Sequence, residues 1–331
     1  MKIFKKEITN NGRVHIYFCG IKIASYKIRK YENKPQIVVE KHFIEVPKVK
    51  YISEDRLAIF LRDKFYEYTG KLPTEELETL NEKLIWDFMF DVTPLKIKCA
   101  DKYTVRDYVK KIIGEKYLIK LLAKFDSIEE LNISKLPDKF VVKFSEGSGK
   151  VYLVPEKSAV DINHLKSRIR EWILNEFWTY SFEMQYKDSA KKIIVEEFLD
   201  TKIEYKLWMF NGKCKFIKIE IMNDFAENGK PDDQYGKYFY PDWTPADFKT
   251  IGKVPDFNIS KPKHLIELLK CAEKLAKPFD FVRVDFYETK SGELKFGELT
   301  FSPAAGNIHF IPESKNLEFG KLLKIKNHKK A

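Results

Sequence analysis

The sequence predicts an α+β chain: a small basic β-meander at the N-terminus, a helical stretch after it, and a second half in which short strands alternate with helices. Three observations predict it. Apolar and polar residues alternate over 3–28, apolar residues recur at helical spacing over 54–90, and late in the chain Asn211-Gly212 and Ser291-Gly292 each separate two strand-like runs. At 44% hydrophobic and 15% aromatic, the 331 residues can bury a substantial core, as one large domain or as two to three smaller ones.

Each element follows from its local pattern. KIFKKEI, RVHIYF and IKIASYKI, with Asn11-Gly12 between the first two, read as the strands of the meander, and Pro35 and Pro47 punctuate a linking segment. Leu57, Phe60 and Leu61 mark the apolar face of a helix over 54–68. Leu77, Leu80, Leu84 and Phe88 mark a second helix over 74–90, with Gly70 and Pro73 breaking between them. Further helices are expected over 105–114 and 116–124. FVVKF (140–144) and KVYLV are strands on either side of the loop SEGSGK, and 161–182, rich in aromatic residues, reads as one long helix. KKIIVEEFL, EYKLWMF and KCKFIKIEI are strands, 223–262 is irregular, 262–276 is a helix, and FVRVDFYE with ELKFGELTF forms a closing hairpin. The expected organisation is a basic segment 1–50, a helical part 51–135, a principal part 136–325 and a basic tail 326–331.

Composition excludes several function classes. No apolar run approaches the roughly 18 residues that span a bilayer, and the first 20 residues are too charged for a signal peptide, so a cytoplasmic protein is expected. Cys19, Cys99, Cys214 and Cys271 are far apart in sequence, with neither a CxxC nor a His/Cys cluster, and read as reduced thiols. The net charge is +11, of which residues 1–50 hold +8, from 12 Lys and Arg against 4 Glu. Such a patch favours anionic partners, yet no helix-turn-helix, zinc-finger or RNA-recognition pattern points to specific nucleic acid.

The closing hairpin carries the chemistry. If Lys290 pairs with Glu293 across a two-residue Ser291-Gly292 turn, Asp285 faces Glu298 and Arg283 faces Thr300 on the same side. Like charges in that position cost roughly 0.2–1 kcal/mol. Water on a solvated face would relieve the repulsion; so would Mg2+, which prefers one or two protein carboxylates and completes its shell with water and phosphate oxygens. Lys143, beside a glycine-rich loop that is not a Walker A sequence, is placed to bind phosphate under backbone amides.

A strand lysine with a glycine loop, an acidic strand end and a late carboxylate pair recur in the order of the ATP-grasp superfamily. LNEKLIW (80–86), ADKYTVRDYV (100–109), LPDKFVVKFSEGSGK (136–150), IIVEEFL (193–199), EYKLWMFNGK (204–213) and VRVDFYETKSGELKFGELTFSPAAG (282–306) resemble successive motifs of the TupA-like ATP-grasp proteins, over about 55–325. The resemblance implies an ATP-grasp fold, two α+β subdomains clasping ATP, and an ADP-forming ligase that uses ATP and Mg2+. Carried over by position, it implies that Lys143 and Lys102 bind phosphates, with Gly147, Ser148 and Gly149 closing over them. Glu196, Glu197, Phe198 and Leu199 would form the hinge that meets adenine and ribose, with Glu204 near the ribose. Lys206 and Arg283 would be catalytic, and Asp285 and Glu298 would hold the metal. The plainer alternatives are surface charges at Lys102 and Lys206 and solvated strand positions at Glu196 and Glu204.

Three positions depart from the pattern: Thr300 stands where many ATP-grasp enzymes have Asn, and the glycine loop carries Glu146 and Lys150. An acid beside phosphates is unfavourable unless Lys150 or the metal offsets it. The family's occurrence in surface-polysaccharide pathways implies amide formation between a carboxylate substrate (a sugar acid or amino acid) and an amine. It also implies an acidic or lipid-linked glycan partner and peripheral contact with the inner membrane face. The alternatives are a glycosyltransferase-like enzyme of capsule synthesis and a basic adaptor with a vestigial ATP site.

Overall fold

A computed structural model describes residues 53–201, 203–222, 234–251 and 259–328, together with the backbone of short strands within 4–36. Contacts divide the chain into two units, Met1–Leu57 and Ala58–Ala331. In the first, β1 (Phe4–Ile8), β2 (Arg13–Phe18) and β3 (Ile21–Lys27) form the expected antiparallel meander, with β4 (Arg29–Tyr31) and β5 (Lys34–Gln36) as a further two-stranded ladder. The Asn11-Gly12 turn, Pro47 and Cys19 lie outside the described residues.

Helix α1 (Glu54–Thr69) matches its expected span, but α2 (Leu80–Phe90) starts later than the apolar spacing implied. Thr79 and Glu82 form a reciprocal capping box that satisfies the first backbone amides, so the helix begins after Thr79 rather than at position 74. Thr93 caps the unanticipated α3 (Pro94–Ala100), with Pro94 at the first helical turn, where its missing N–H costs nothing. After α4 (Val105–Ile112) the second expected helix is absent. A single 3-10 turn over Glu115–Tyr117 leads instead into β6 (Leu121–Phe125), which pairs with β9 (Ile193–Glu197).

β6 and β9 belong to an antiparallel four-stranded sheet, order β6-β9-β7-β8, with β7 (Phe140–Phe144) and β8 (Val151–Val154). Its apolar face packs on α5 (Ile162–Leu174), where Phe140, Val142, Phe144, Leu165, Ile169 and Val195 form one buried cluster. The long helix expected over 161–182 stops at Asn175 and resumes only as the short α6 (Trp178–Ser181). The break follows from the glycine loop beside it: Lys150 Nζ donates to the Trp172 and Asn175 carbonyls at 3.0 and 2.9 Å, and Glu146 Oε1 accepts from Phe177 N at 2.7 Å.

The second sheet has five strands, order β12-β11-β10-β14-β15, formed by β10 (Ile203–Phe210), β11 (Lys213–Met222), β12 (Gln234–Phe239), β14 (Phe281–Glu288) and β15 (Leu294–Thr300). β12 lies in a stretch expected to be irregular. So does β13 (Lys249–Thr250), which pairs with β16 (Phe310–Ile311). One face of the sheet, including Leu207, Met209, Val282 and Val284, is apolar and covered by α7 (Leu265–Ala276). The other face is aromatic at one end, where Trp208, Phe210, Phe216 and Phe281 pack with α2 and α8 (Ser314–Leu322), and charged at the other. Cys99 and Cys271 are buried, Cys214 is half-buried, and all three are free thiols.

Both hairpins of this sheet carry a one-residue irregularity. Asn211 and Gly212, both at positive φ, form the expected two-residue turn, but an extra residue in β11 moves the register so that Lys206 faces Lys218. In the closing hairpin the predicted two-residue turn is instead a loop of three residues, with Thr289 N bonded to Glu293 O at 3.0 Å and Gly292 at φ +82°. Tyr287 therefore pairs with Lys295, one residue off the expected register. A bulge at Gly297–Glu298, opposite Asp285, then restores the predicted pairing of Arg283 with Thr300.

Candidate active site

The glycine loop is held from within. Glu146 and Lys150 are both buried and form an ion pair, so the unusual acid points into the protein towards α5 and Lys150 offsets it. Gly147 sits at φ +79°, and a Cβ there would lie 2.7 Å from Phe177 Cβ, so this position excludes a side chain on both counts. Ser148 and Gly149 are exposed at the tip. From the turn after α3, Lys102 Nζ donates to the Gly147 carbonyl and Lys102 N to Ser145 O at 3.0 Å. The buried Asp101 fixes that turn: Oδ1 accepts from Tyr103 N and Thr104 N at 2.9 Å, and Oδ2 from Ser145 Oγ at 2.6 Å.

Lys143, on the strand before the loop, donates to Glu196 Oε2 at 2.7 Å, while Glu196 Oε1 takes Arg106 Nη1 at 2.7 Å. Glu196 is thus a buried carboxylate shared by two cations rather than a solvated strand position. Beyond it Glu197 is exposed, and Phe198 and Leu199 are half-buried at the end of β9.

The charged end of the five-stranded sheet belongs to the same unit. Arg283 Nε lies 2.8 Å from Asp285 Oδ1, and Arg283 Nη2 reaches Asp285 Oδ2 at 2.5 Å, Glu298 Oε1 at 3.1 Å and Thr300 Oγ1 at 3.0 Å. Two carboxylates and a hydroxyl therefore converge on a single cationic group. Lys206, across from Asp285, bridges Glu204 Oε2 at 3.2 Å and Glu220, which Lys218 also contacts. Lys206 is not a surface charge: burial alone would lower its pKa, but the Glu204, Asp285 and Glu220 carboxylates outweigh burial and hold it above the ordinary lysine value.

Lys102 is lowered by burial, with Glu298 as the largest opposing influence. Burial would raise Glu298, yet Lys102, Arg283 and the Thr300 hydroxyl hold it at about 2, an acid ionised at every physiological pH. Its side chain keeps 39% of its exposure, whereas Asp285 is fully buried. Asp285 and Glu298 are carboxylates of the kind Mg2+ takes, and in this structure Arg283 engages both of them. Among the described residues no group of three or more His, Cys, Asp and Glu side chains is arranged to hold a metal ion.

The structure brings Arg283, Asp285, Glu298, Glu204 and Lys206 together on one sheet face, and Lys102, Lys143, Glu196 and the loop Gly147-Ser148-Gly149 around the other sheet. Sequence reasoning missed Arg106, Asp101, Lys218 and Glu220. The signal for the last two was Lys-Ile-Glu at 218–220, but a regular hairpin through Asn211-Gly212 places Lys206 against Ile217, and only the bulge brings Lys218 opposite.

Two antiparallel sheets, one with a strand lysine and glycine loop and the other with a carboxylate pair near its end, define an α+β protein of the ATP-grasp type. The TupA-like ATP-grasp family profile matches residues 82–324, about three-quarters of the chain, and the chain belongs to that family. No curated protein matches it. Among solved structures it is similar to D-alanine–D-alanine ligase from Bacillus anthracis, at 18% identity over 62% of this chain and 57% of that one, TM-score 0.36. It is also similar to an ADP complex of purK, N5-carboxyaminoimidazole ribonucleotide synthetase, at 13% identity over 61% and 45%, TM-score 0.39. A third likeness is to the ATP-grasp ligase PsnB complexed with minimal precursor, at 10% identity over 91% and 78%, TM-score 0.38. The chain spans about half the length of the first two.

Proposed function

We propose that the protein is an ATP-dependent, ADP-forming ligase that joins a carboxylate to an amine through an acyl-phosphate. The observation that supports this reading best is the convergence of Arg283 on Asp285 and Glu298 within a chain of the ATP-grasp family. In the reaction a substrate carboxylate oxygen bonds to the γ-phosphorus of ATP as the bridging P–O bond breaks and ADP leaves. The amine nitrogen then bonds to the acyl carbon, the acyl C–O bond breaks, and phosphate leaves while the amine proton passes to water.

The chain's own residues supply positioning and charge, which phosphoryl transfer mainly requires. Lys143 exchanges Glu196 for a phosphate, Lys102 approaches the same phosphates, and the backbone of Gly147, Ser148 and Gly149 covers them. Glu196, Glu197, Phe198 and Leu199 line the nucleoside end, with Glu204 near the ribose. Lys206 and Arg283 act at the transferring phosphoryl. Asp285 and Glu298 are the residues that hold Mg2+, which when bound neutralises phosphate charge. Within the same reading, residues 51–135 and 136–325 are distinct parts of the enzyme, 1–50 and 326–331 are basic appendages, and the substrates are a sugar acid or amino acid and an amine. The setting is surface-polysaccharide assembly at the inner membrane face, supported by the basic charge of 1–50. Among the described residues no helix is long and apolar enough to cross a membrane.

Thermal unfolding with ATP, with and without Mg2+, tests the reading, because a ligand that binds only the native state raises the midpoint. A Mg2+-dependent rise in the parent protein that Glu298→Gln abolishes is expected. No rise in either protein would overturn the assignment and favour a basic binding module.

A further inference from the structure

Helix α7 covers the apolar face of the five-stranded sheet with Leu265, Leu268, Ala272 and Leu275, and turns a second face to solvent. At the helical period, Ile266, Lys270, Lys274 and Lys277 fall within one arc of that outer face, Lys263 stands just ahead of the helix, and all five are exposed. Among the described residues the ammonium groups of Lys263, Lys270, Lys274 and Lys277 form neither an ion pair nor a hydrogen bond. The two acids that border the arc are already engaged. Glu267 accepts from Tyr117 Oη at 2.5 Å and pairs with Lys116 at 3.3 Å, and Glu273 pairs with Lys213 at 3.0 Å.

At the N-terminal end of this lysine stripe a cleft of about 490 Å³ opens between α7 and the loop of the closing hairpin. Lys261, Lys263, His264 and Lys290 stand around it, Lys290 paired with Asp200, and Ser260, Thr289 and Ser291 line it with hydroxyls. The acid in its wall, Glu288, accepts from Tyr205 Oη at 2.6 Å. On β10, Tyr205 points to the α7 side with Leu207 and Met209, while Lys206 points to the other, so the cleft lies across the sheet from Arg283, Asp285 and Glu298.

The twelve residues of α7 span about 18 Å, and a row of unneutralised cations of that length attracts an anion that is itself linear, with repeated charges. A bilayer is planar and is held by several apolar anchors, whereas Ile266 is the exposed large apolar side chain of this helix. An extended peptide docks on a free strand edge or in apolar pockets for its side chains. The cleft lies between a helix and a loop, and its hydroxyl and ammonium groups suit a sugar ring that carries a carboxylate.

We propose that the outer face of α7 and the cleft at its N-terminal end form a docking surface for an acidic polysaccharide, whose carboxylates pair with Lys270, Lys274 and Lys277 while one acidic sugar unit occupies the cleft beside Lys263. The inference rests on the ligase reading for why such a polymer is held, but not for its binding. The surface retains the polymer from the side of the sheet opposite the reacting groups.

The test is titration of the full chain with polygalacturonate, neutral dextran, poly-L-glutamate and phosphatidylglycerol vesicles, at low and at high salt, read by calorimetry for the polymers and by co-sedimentation for the vesicles. Two triple variants of equal net charge are compared: Lys263→Gln, Lys270→Gln and Lys277→Gln on the proposed surface, and Lys135→Gln, Lys139→Gln and Arg170→Gln at exposed positions around the four-stranded sheet. The parent is expected to bind polygalacturonate at low salt and not dextran. The α7 variant is expected to bind it about tenfold more weakly, the sum of three exposed ion pairs, and the control triple by less than about twofold. No binding of polygalacturonate by the parent, or equal loss in both triples, would overturn the proposal. A loss confined to poly-L-glutamate or to vesicles would overturn it too, in favour of that partner. The two readings fail separately: these exposed substitutions leave the fold intact, so the Mg2+-dependent rise in unfolding midpoint with ATP reports on the ligase assignment and polymer binding reports on the surface.

Discussion

Glu183 shows how far a single residue's environment can depart from its sequence context. It is buried below the turn after β15, accepts a hydrogen bond from Ser302 and lies within the field of Glu298 and Glu146. Burial, the largest influence, pushes its carboxyl up to about 8, against the small lowering by the Ser302 and Ser181 hydroxyls. The folded state thus holds the proton more tightly than the unfolded chain. That contribution to stability is complete below the ordinary glutamate range near pH 4.5 and is lost as pH rises towards 8. Glu183→Gln keeps an acceptor for Ser302 but has no proton to lose. Urea unfolding at pH 5 and pH 8 is therefore expected to show a smaller fall in stability for the variant, by a few kcal/mol, and parallel falls in the two proteins would contradict this. Nothing in the local sequence SFEMQ signals such an acid; its burial comes from packing against a segment more than a hundred residues away.

Among elements, the glycine loop and the two bulged hairpins shape the site. The Glu146–Lys150 pair ties the loop to the broken end of α5, and Lys150 also satisfies the Trp172 and Asn175 carbonyls that the helix leaves open. Removing one partner leaves a buried charge uncompensated, which costs about 3–5 kcal/mol, whereas removing both is far milder. Lys150→Met is accordingly expected to destabilise the protein by that amount, and Glu146→Gln with Lys150→Met to recover most of it. A double variant as unstable as the single one would exclude the pair as the cause. The strands of these two hairpins were legible from alternation, and so were Arg283 opposite Thr300 and the grouping of Lys143 with its loop. The bulges were not, because one inserted residue changes every later pairing and no local residue preference marks the spot; Gly297 is the nearest thing to a signal.

At the scale of the molecule, both apolar clusters and every proposed site residue belong to the unit Ala58–Ala331, and the family match begins at residue 82. A chain starting at Ser53 is therefore expected to fold and to keep the nucleotide-dependent rise in unfolding midpoint, while its binding to anionic vesicles or acidic glycan falls with the loss of the +8 charge in residues 1–50. Sedimentation and thermal unfolding of the shortened chain check the first point, and salt-dependent vesicle binding checks the second. Loss of folding on truncation would make the basic segment part of the core unit.

The sequence by itself determined the α+β class, the order of the motifs, the family and the residue types of the site, because side-chain alternation, turn chemistry and motif order are local properties of the chain. Tertiary structure alone decided which charges neutralise one another, where α5 ends and that residues 121–125 are a strand. Those outcomes depend on burial and on register between segments remote in sequence, where a bulge or a cap of one residue decides what meets what.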